Sequence, residues 1–214
     1  MSMERKGIKI LYLLNFIMVL FSSCMTGSSA HGKAEMRTIC LVPVGRIEQR
    51  LLTYLSYQIE KIFPFSVKMD EALLHPGYAY NERRGQYKSD LILTRLQKVD
   101  REEAEKILGV VDLDLYTPGL NFIFGQASMG GKVALIALPR LRQEFYRLPK
   151  DKKLYYSRVF KEAVHELGHT FGLDHCKKRE CVMHFSNSLA HTDYKGKEFC
   201  DDCPNKLSFE ESER

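Results

Sequence analysis

The sequence predicts an α+β domain: a mixed, twisted sheet with helices interspersed, one long helix that carries the chemistry, and an irregular C-terminal part stapled by metal. Three observations lead there. Short apolar, β-rich runs alternate with helical stretches through the first half of the chain. From Leu154 to Thr170 the apolar spacing becomes helical. Beyond Thr170 the chain carries four of its six cysteines and too few apolar side chains to build a core unaided. The 214 residues suit one domain with an appendage, and 44% apolar against 28% charged residues argues for a packed core over disorder.

The appendage comes first. Arg5, Lys6 and Lys9 precede an apolar stretch from Ile10 to Phe21, and small residues follow. Residues 1–23 thus have the anatomy of a secretory signal. The stretch covers about 18 Å as a helix, short of the roughly 30 Å of hydrocarbon that a membrane span must cross. Phe21-Ser22-Ser23-Cys24 resembles a bacterial lipoprotein box, with Phe in place of the usual Leu, so Cys24 is the expected lipidation site and the cell envelope the expected location. A signal anchor, or translation from Met36 with a cytoplasmic product, are the alternatives. Residues 24–35 read as a linker, and the domain runs from 36 to 214.

Within it, Thr38 to Val44 reads as a buried strand ended by Gly45. Leu51, Leu52, Leu55, Ile59 and Ile62 recur at helical spacing up to Pro64, which stops the helix. Phe65 to Met69 follows as a strand, 74–86 as a loop, and Lys88 to Leu96 as a helix. Asp100 with Glu103 reads as a capping box for a short helix ending at Gly109. Val110 to Tyr116 and Leu120 to Phe124 are expected strands joined by Thr117-Pro118-Gly119. Gly130-Gly131 turns into a strand from Val133 to Leu138, expected at the sheet edge, where an extended peptide can add.

Charge excludes one class of function. The formal net charge is +5, of which Arg5, Lys6 and Lys9 against Glu4 supply +2, leaving +3 for the rest. With no basic run and no Trp, no nucleic-acid partner is expected.

The decisive segment is His165-Glu166-Leu167-Gly168-His169-Thr170-Phe171-Gly172-Leu173-Asp174-His175. Histidines at i and i+4 share one helix face, so both imidazoles reach one metal. Glu166 stands beside the first ligand, where its carboxylate can take a proton from water. Gly172 lets the helix end and the chain turn back to deliver His175. Three imidazoles leave one tetrahedral position open, which marks a catalytic zinc site. Cys176, Cys181, Cys200 and Cys203 form two close pairs, suited to a structural zinc. Two disulfides are the rival, weakened by the tight spacing of Cys200 and Cys203.

These residues resemble the archaemetzincins, zinc metallopeptidases of the metzincin clan. HELGHTFGLDHC, Cys181-Val182-Met183 and Cys200-Asp201-Asp202-Cys203 carry the resemblance. LVPVG, VDLDLY, NFIFGQA and ALIALPRL extend it weakly across 36–165. It implies a zincin-like fold, a catalytic zinc on His165, His169 and His175 with Glu166 as acid/base, and a second zinc on Cys176, Cys181, Cys200 and Cys203. It also implies Met183 as the methionine beneath the site. The spacing from Met183 to Cys200 is about a residue shorter than the family pattern, which bears on loop shape.

The activity expected is zinc-assisted hydrolysis of peptides or proteins by a monomer, with membrane attachment through the lipidated N-terminus. A zinc-holding, peptide-recognising protein without useful hydrolysis is the rival, and the intact Glu166 speaks against it. His31, His75, His184, His191 and Tyr194 read as ordinary polar positions, and Cys40 as an inert core thiol.

Overall fold

The computed structural model describes residues 37–99 and 103–203. The predicted signal, linker and Cys24 lie outside the described residues, as do His31 and Asp100.

Five strands form the main sheet: β1 (Thr38–Val44), β2 (Ser66–Met69), β5 (Ala104–Val111), β7 (Gly125–Ala127) and β8 (Val133–Ala137), in the order β2-β1-β5-β8-β7. The first four in that order run parallel, and β7 is antiparallel to β8. β1 is buried at every residue, which explains its uninterrupted apolar run: strands covered on both faces lose the alternation of half-exposed ones. One face, with Leu41, Leu108, Val110 and Ile136, packs under α1 (Gln49–Ile59) and α3 (Lys152–Thr170). The other, with Cys40, Val42, Ile107 and Leu135, packs under α2 (Ser89–Gln97). α1 buries Leu51, Leu52, Leu55 and Ile59, the single stripe its spacing predicts. Short strands β3 (Tyr80–Asn81), β4 (Gln86–Lys88) and β6 (Leu115–Tyr116) make a second sheet within and beyond the stretch expected to be loop.

Three expectations are corrected. Residues 104–109 are strand, not helix. Ile107, Leu108, Val110 and Val111 are buried in the middle of the sheet, and that burial outweighs a local capping signal. Gly109 does not end a helix. A Cβ there would stand 2.5 Å from Leu96 Cδ1 and 3.0 Å from Leu135 Cδ1, so its lack of a side chain lets α2 lie close on β5. Second, β8 is interior, between β5 and β7. The edge beside the cleft is β7, whose Gly-Gln-Ala sequence has none of the β-branched signature that marks strands. Third, Leu120 to Phe124 forms no strand and touches Leu115 only through a bridge at Ile123.

α3 is started by Asp151, whose carboxylate accepts the Leu154 N–H at 2.9 Å. Beyond it, Cys176 to Cys203 is irregular except for α4 (Leu189–Tyr194).

Candidate active site

α3 presents His165, Glu166 and His169 to a cleft of about 620 Å³ bounded on one side by β7. His165 and His169 sit one turn apart with their Nε2 atoms 3.1 Å from each other. His165 Nδ1 lies 2.9 Å from the Val182 carbonyl and His169 Nδ1 2.7 Å from that of Leu173. A carbonyl only accepts, so each Nδ1 is the protonated nitrogen and each Nε2 offers a lone pair.

Gly172, at φ +85°, turns the chain at the end of α3, where the Leu173 N–H donates to Gly168 O at 3.0 Å. His175 is thereby returned to its partners, its ring centroid 5.3 Å from that of His165 and 4.8 Å from that of His169. Burial, then the positive Lys195, pushes the His165 pKa well down, and burial lowers those of His169 and His175 as well. Each of these shifts favours the neutral imidazole, the form that binds metal.

The donor set fits zinc. One ligand atom from each imidazole lies within 4.8 Å of the others. Two lone pairs facing at 3.1 Å repel unless a cation stands between them. Nitrogens 2.0–2.1 Å from a tetrahedral zinc are about 3.3 Å apart.

Glu166 is buried beside this cluster, and burial, reinforced by Glu162, pushes its carboxyl well above the usual carboxylate range while Lys195 opposes that rise. Its carboxylate lies directly against β7: a Cβ on Gly125 would fall 2.5–2.7 Å from Glu166 Cγ, Oε1 and Cδ.

The cysteines converge too. Cys176 and Cys200 sulfurs are 3.7 Å apart, Cys181 and Cys203 3.6 Å, Cys200 and Cys203 3.7 Å. Such distances are far beyond a disulfide bond of about 2.05 Å. They equal the edge of a tetrahedron with sulfurs about 2.3 Å from its centre, roughly 3.75 Å. Backbone N–H groups of Lys178 and Cys200 donate to the Cys176 and Cys181 sulfurs, each at 3.4 Å.

The two clusters share a backbone. Val182, whose carbonyl holds His165, lies between Cys181 and Met183. Cys176, next to His175, donates its N–H to Met183 O at 2.9 Å. Met183 is fully buried under the helix, where a Cβ on Gly168 would come within 2.5 Å of its sulfur.

Comparison with known proteins gives the same answer. The model of peptidase family M54 matches residues 49–209. The chain belongs to peptidase family M54. The archaemetzincin of Methanocaldococcus jannaschii is 43% identical, over 79% of this chain and 92% of the relative. That of Pyrococcus furiosus is 45% identical, over 79% and 91%. The crystal structure of the Methanopyrus kandleri archaemetzincin superposes with a TM-score of 0.72 at 38% identity, covering 82% of this chain and 95% of that one. That of Archaeoglobus fulgidus, complexed with malonate, gives 0.70 at 37% identity over 79% and 99%. The M54 chain is accordingly a zinc metallopeptidase acting on peptides or proteins.

Around the M54 site stand residues that sequence reasoning did not single out. Glu162, one turn before Glu166 on α3, lines the cleft. Its Oε1 accepts the Thr192 hydroxyl at 3.1 Å and lies 3.1 Å from Lys195 Nζ, an ion pair that lacks hydrogen-bond alignment. Both side chains are buried. The i to i+4 spacing of Glu162 and Glu166 was a usable signal, whereas nothing local marks Lys195. Phe185 packs against the exposed face of His175, centroids 4.9 Å apart. The residues left aside stand as follows. His184 meets only a backbone carbonyl at 3.1 Å. His191 and Tyr194 are exposed on α4, His75 lies against Tyr87 away from the cleft, and Cys40 is a buried thiol.

Proposed function

We propose that His165, His169 and His175 hold the catalytic zinc, that Glu166 is the acid and base of peptide hydrolysis, and that Cys176, Cys181, Cys200 and Cys203 hold a second, structural zinc. The observation that carries this reading is the pair of Nε2 lone pairs facing each other at 3.1 Å with a buried carboxylate at their side. Bound there, zinc lowers the pKa of coordinated water toward about 7 and polarises the scissile carbonyl.

The chain supplies the rest. Val182 and Leu173 carbonyls fix the two imidazoles in the ligating tautomer. An extended substrate adds to β7, the edge strand of the sheet among the described residues, beside Glu166. Glu166 takes the proton of the attacking water and returns it to the leaving amine. Its raised proton affinity suits both transfers. Met183 supports the helix from below through the gap at Gly168.

Glu166→Ala is the test. It should retain zinc and lose at least about 10²-fold in kcat on a peptide library, the scale of a positioned acid–base. Full activity in that variant would end the mechanism. For the segment before the domain, we propose export by residues 1–23 and lipidation at Cys24, followed by the linker 24–35. Mass spectrometry of the mature N-terminus decides this, since an unmodified chain beginning at Met1 or Met36 excludes it.

A further inference from the structure

Lys106 is a buried lysine with no carboxylate partner at short range among the described residues. It projects from β5 onto the α3 face of the sheet. Its Nζ donates to the Thr170 carbonyl at 3.0 Å and to the Gly131 carbonyl at 3.0 Å, and it lies 4.6 Å from the centroid of the Phe171 ring. An ammonium has three N–H groups. Two carbonyls and an aromatic face occupy all three. Thr170 is the last residue of α3, and Gly131 lies in the turn that joins β7 to β8.

That turn touches the helix a second time. Gly130 N–H donates to His169 O at 2.9 Å. Ser128, the residue after β7, is held in the turn by Ser128 N–H to Val133 O at 2.9 Å and Gly131 N–H to Ser128 O at 2.8 Å. At its other end β7 meets the helix again, where Gly125 lies flat on Glu166. The height of the edge strand over the helix is therefore set at two points, and Lys106 bolts one of them.

We propose that Lys106 is a positioning residue for catalysis: by tying the end of the active-site helix to the β7–β8 turn, it fixes the register between a substrate lying along β7 and the groups that cleave it. The proposal rests on β7 being the substrate strand. A lysine that served only to satisfy the helix C-terminus would stabilise the fold and would not distinguish one substrate from another. A lysine that sets the strand's position must matter more for substrates that use more of the strand.

The test uses the zinc-loaded full chain and a nested series of peptides, from a blocked dipeptide to an octapeptide, sharing one scissile bond. Lys106→Met should lower kcat/KM for the octapeptide by about tenfold, mostly through KM, as expected when binding rather than chemistry is weakened. For the dipeptide the change should stay within about threefold, and zinc content should not change. Lys106→Gln, which keeps two N–H donors on a shorter, uncharged side chain, should fall between wild type and Lys106→Met; it also serves if Lys106→Met does not fold. Equal losses at every length, or none, overturn the proposal while leaving the hydrolytic mechanism standing. Wild-type enzyme that cleaves no member of the series overturns the peptidase mechanism and this inference together, and activity surviving Glu166→Ala strikes the mechanism alone.

Discussion

One wall of the cleft is a helix lying on a sheet; the other is irregular chain strung between two pairs of cysteines. His165, Glu166 and His169 belong to the first. Behind them Val159, Ala163, Val164 and Leu167 are fully buried against the sheet, so apolar burial holds them before any metal arrives. His175 belongs to the second, is exposed, and is followed by a stretch held by close sulfur–sulfur and N–H-to-sulfur contacts, ion pairs and a few backbone hydrogen bonds. The two walls meet at Val182, whose carbonyl orients His165, and at Met183, which fills the notch at Gly168. An imidazole on the well-packed wall is thus aimed by an atom of the poorly packed one. The lesson is that the second cluster is not an independent staple: loosening it should be felt in the first.

The largest effect on activity follows from that coupling. Cys203→Ser should remove about one equivalent of zinc and lower activity by about 100-fold, because an ångström of misplacement at a catalytic site costs that much. Far-UV circular dichroism should change little, since α3 and the sheet keep their own core. Metal content and kcat/KM together make the check. Loss of one zinc with activity intact would show that the walls are uncoupled.

Next comes the buried charge between them. α4 is lashed to α3 by three polar side chains in sequence. Arg158 meets Asp193 through two contacts of 2.6 Å, Lys161 donates to the Thr192 and Asp193 carbonyls at 2.9 and 2.8 Å, and Glu162 meets Lys195. Lys195 has a side-chain exposure of 0% and Glu162 of 3%. Removing one partner leaves a buried charge unpaired, so Lys195→Met should destabilise the folded protein by about 3–5 kcal/mol. Adding Glu162→Gln should recover much of that loss, a coupling that a denaturant double-mutant cycle measures. If Lys195→Met alone is neutral, the pair does not join the walls.

The same division decides what the sequence revealed. The packed wall was legible because helix periodicity and ligand spacing coincide on one segment: His165, Glu166 and His169 are local in sequence and local in space. The convergence of the four cysteines was legible because two close pairs beside a histidine cluster are a spacing that suits a metal and little else. β1, α1 and α2 were readable from apolar runs and stripes. β5 was not, because Glu103 and Gly109 imitate the ends of a helix while the reason for a strand, burial between β1 and β8, is non-local. β7 was missed for a related reason. Its glycine is set by the closeness of Glu166, which lies 41 positions further along the chain, and its residues carry no β-forming preference of their own. Lys195 and Lys106 look like ordinary surface lysines in sequence. Only the fold shows one buried against a carboxylate and the other closing the end of α3.

The smallest effect tests the contact between the walls with the least chemistry. Gly168 sits on α3 between the two helical histidines, and a Cβ there would meet Met183 Sδ at 2.5 Å, Met183 Cε at 3.1 Å and Phe199 Cε1 at 3.2 Å. Gly168→Ala adds helix propensity worth up to about 1 kcal/mol and sets against it an overpacking cost of about 1–3 kcal/mol. Methionine is flexible, but Met183 is fully buried and cannot swing into solvent, so the cost should win by about 1 kcal/mol. The melting temperature should drop by a few degrees, with kcat falling further than this modest destabilisation alone implies, because the displaced Met183 is bonded through its carbonyl to Cys176, the neighbour of His175. A higher melting temperature with unchanged kcat would mean that the methionine yields freely and that the two walls touch there without gripping.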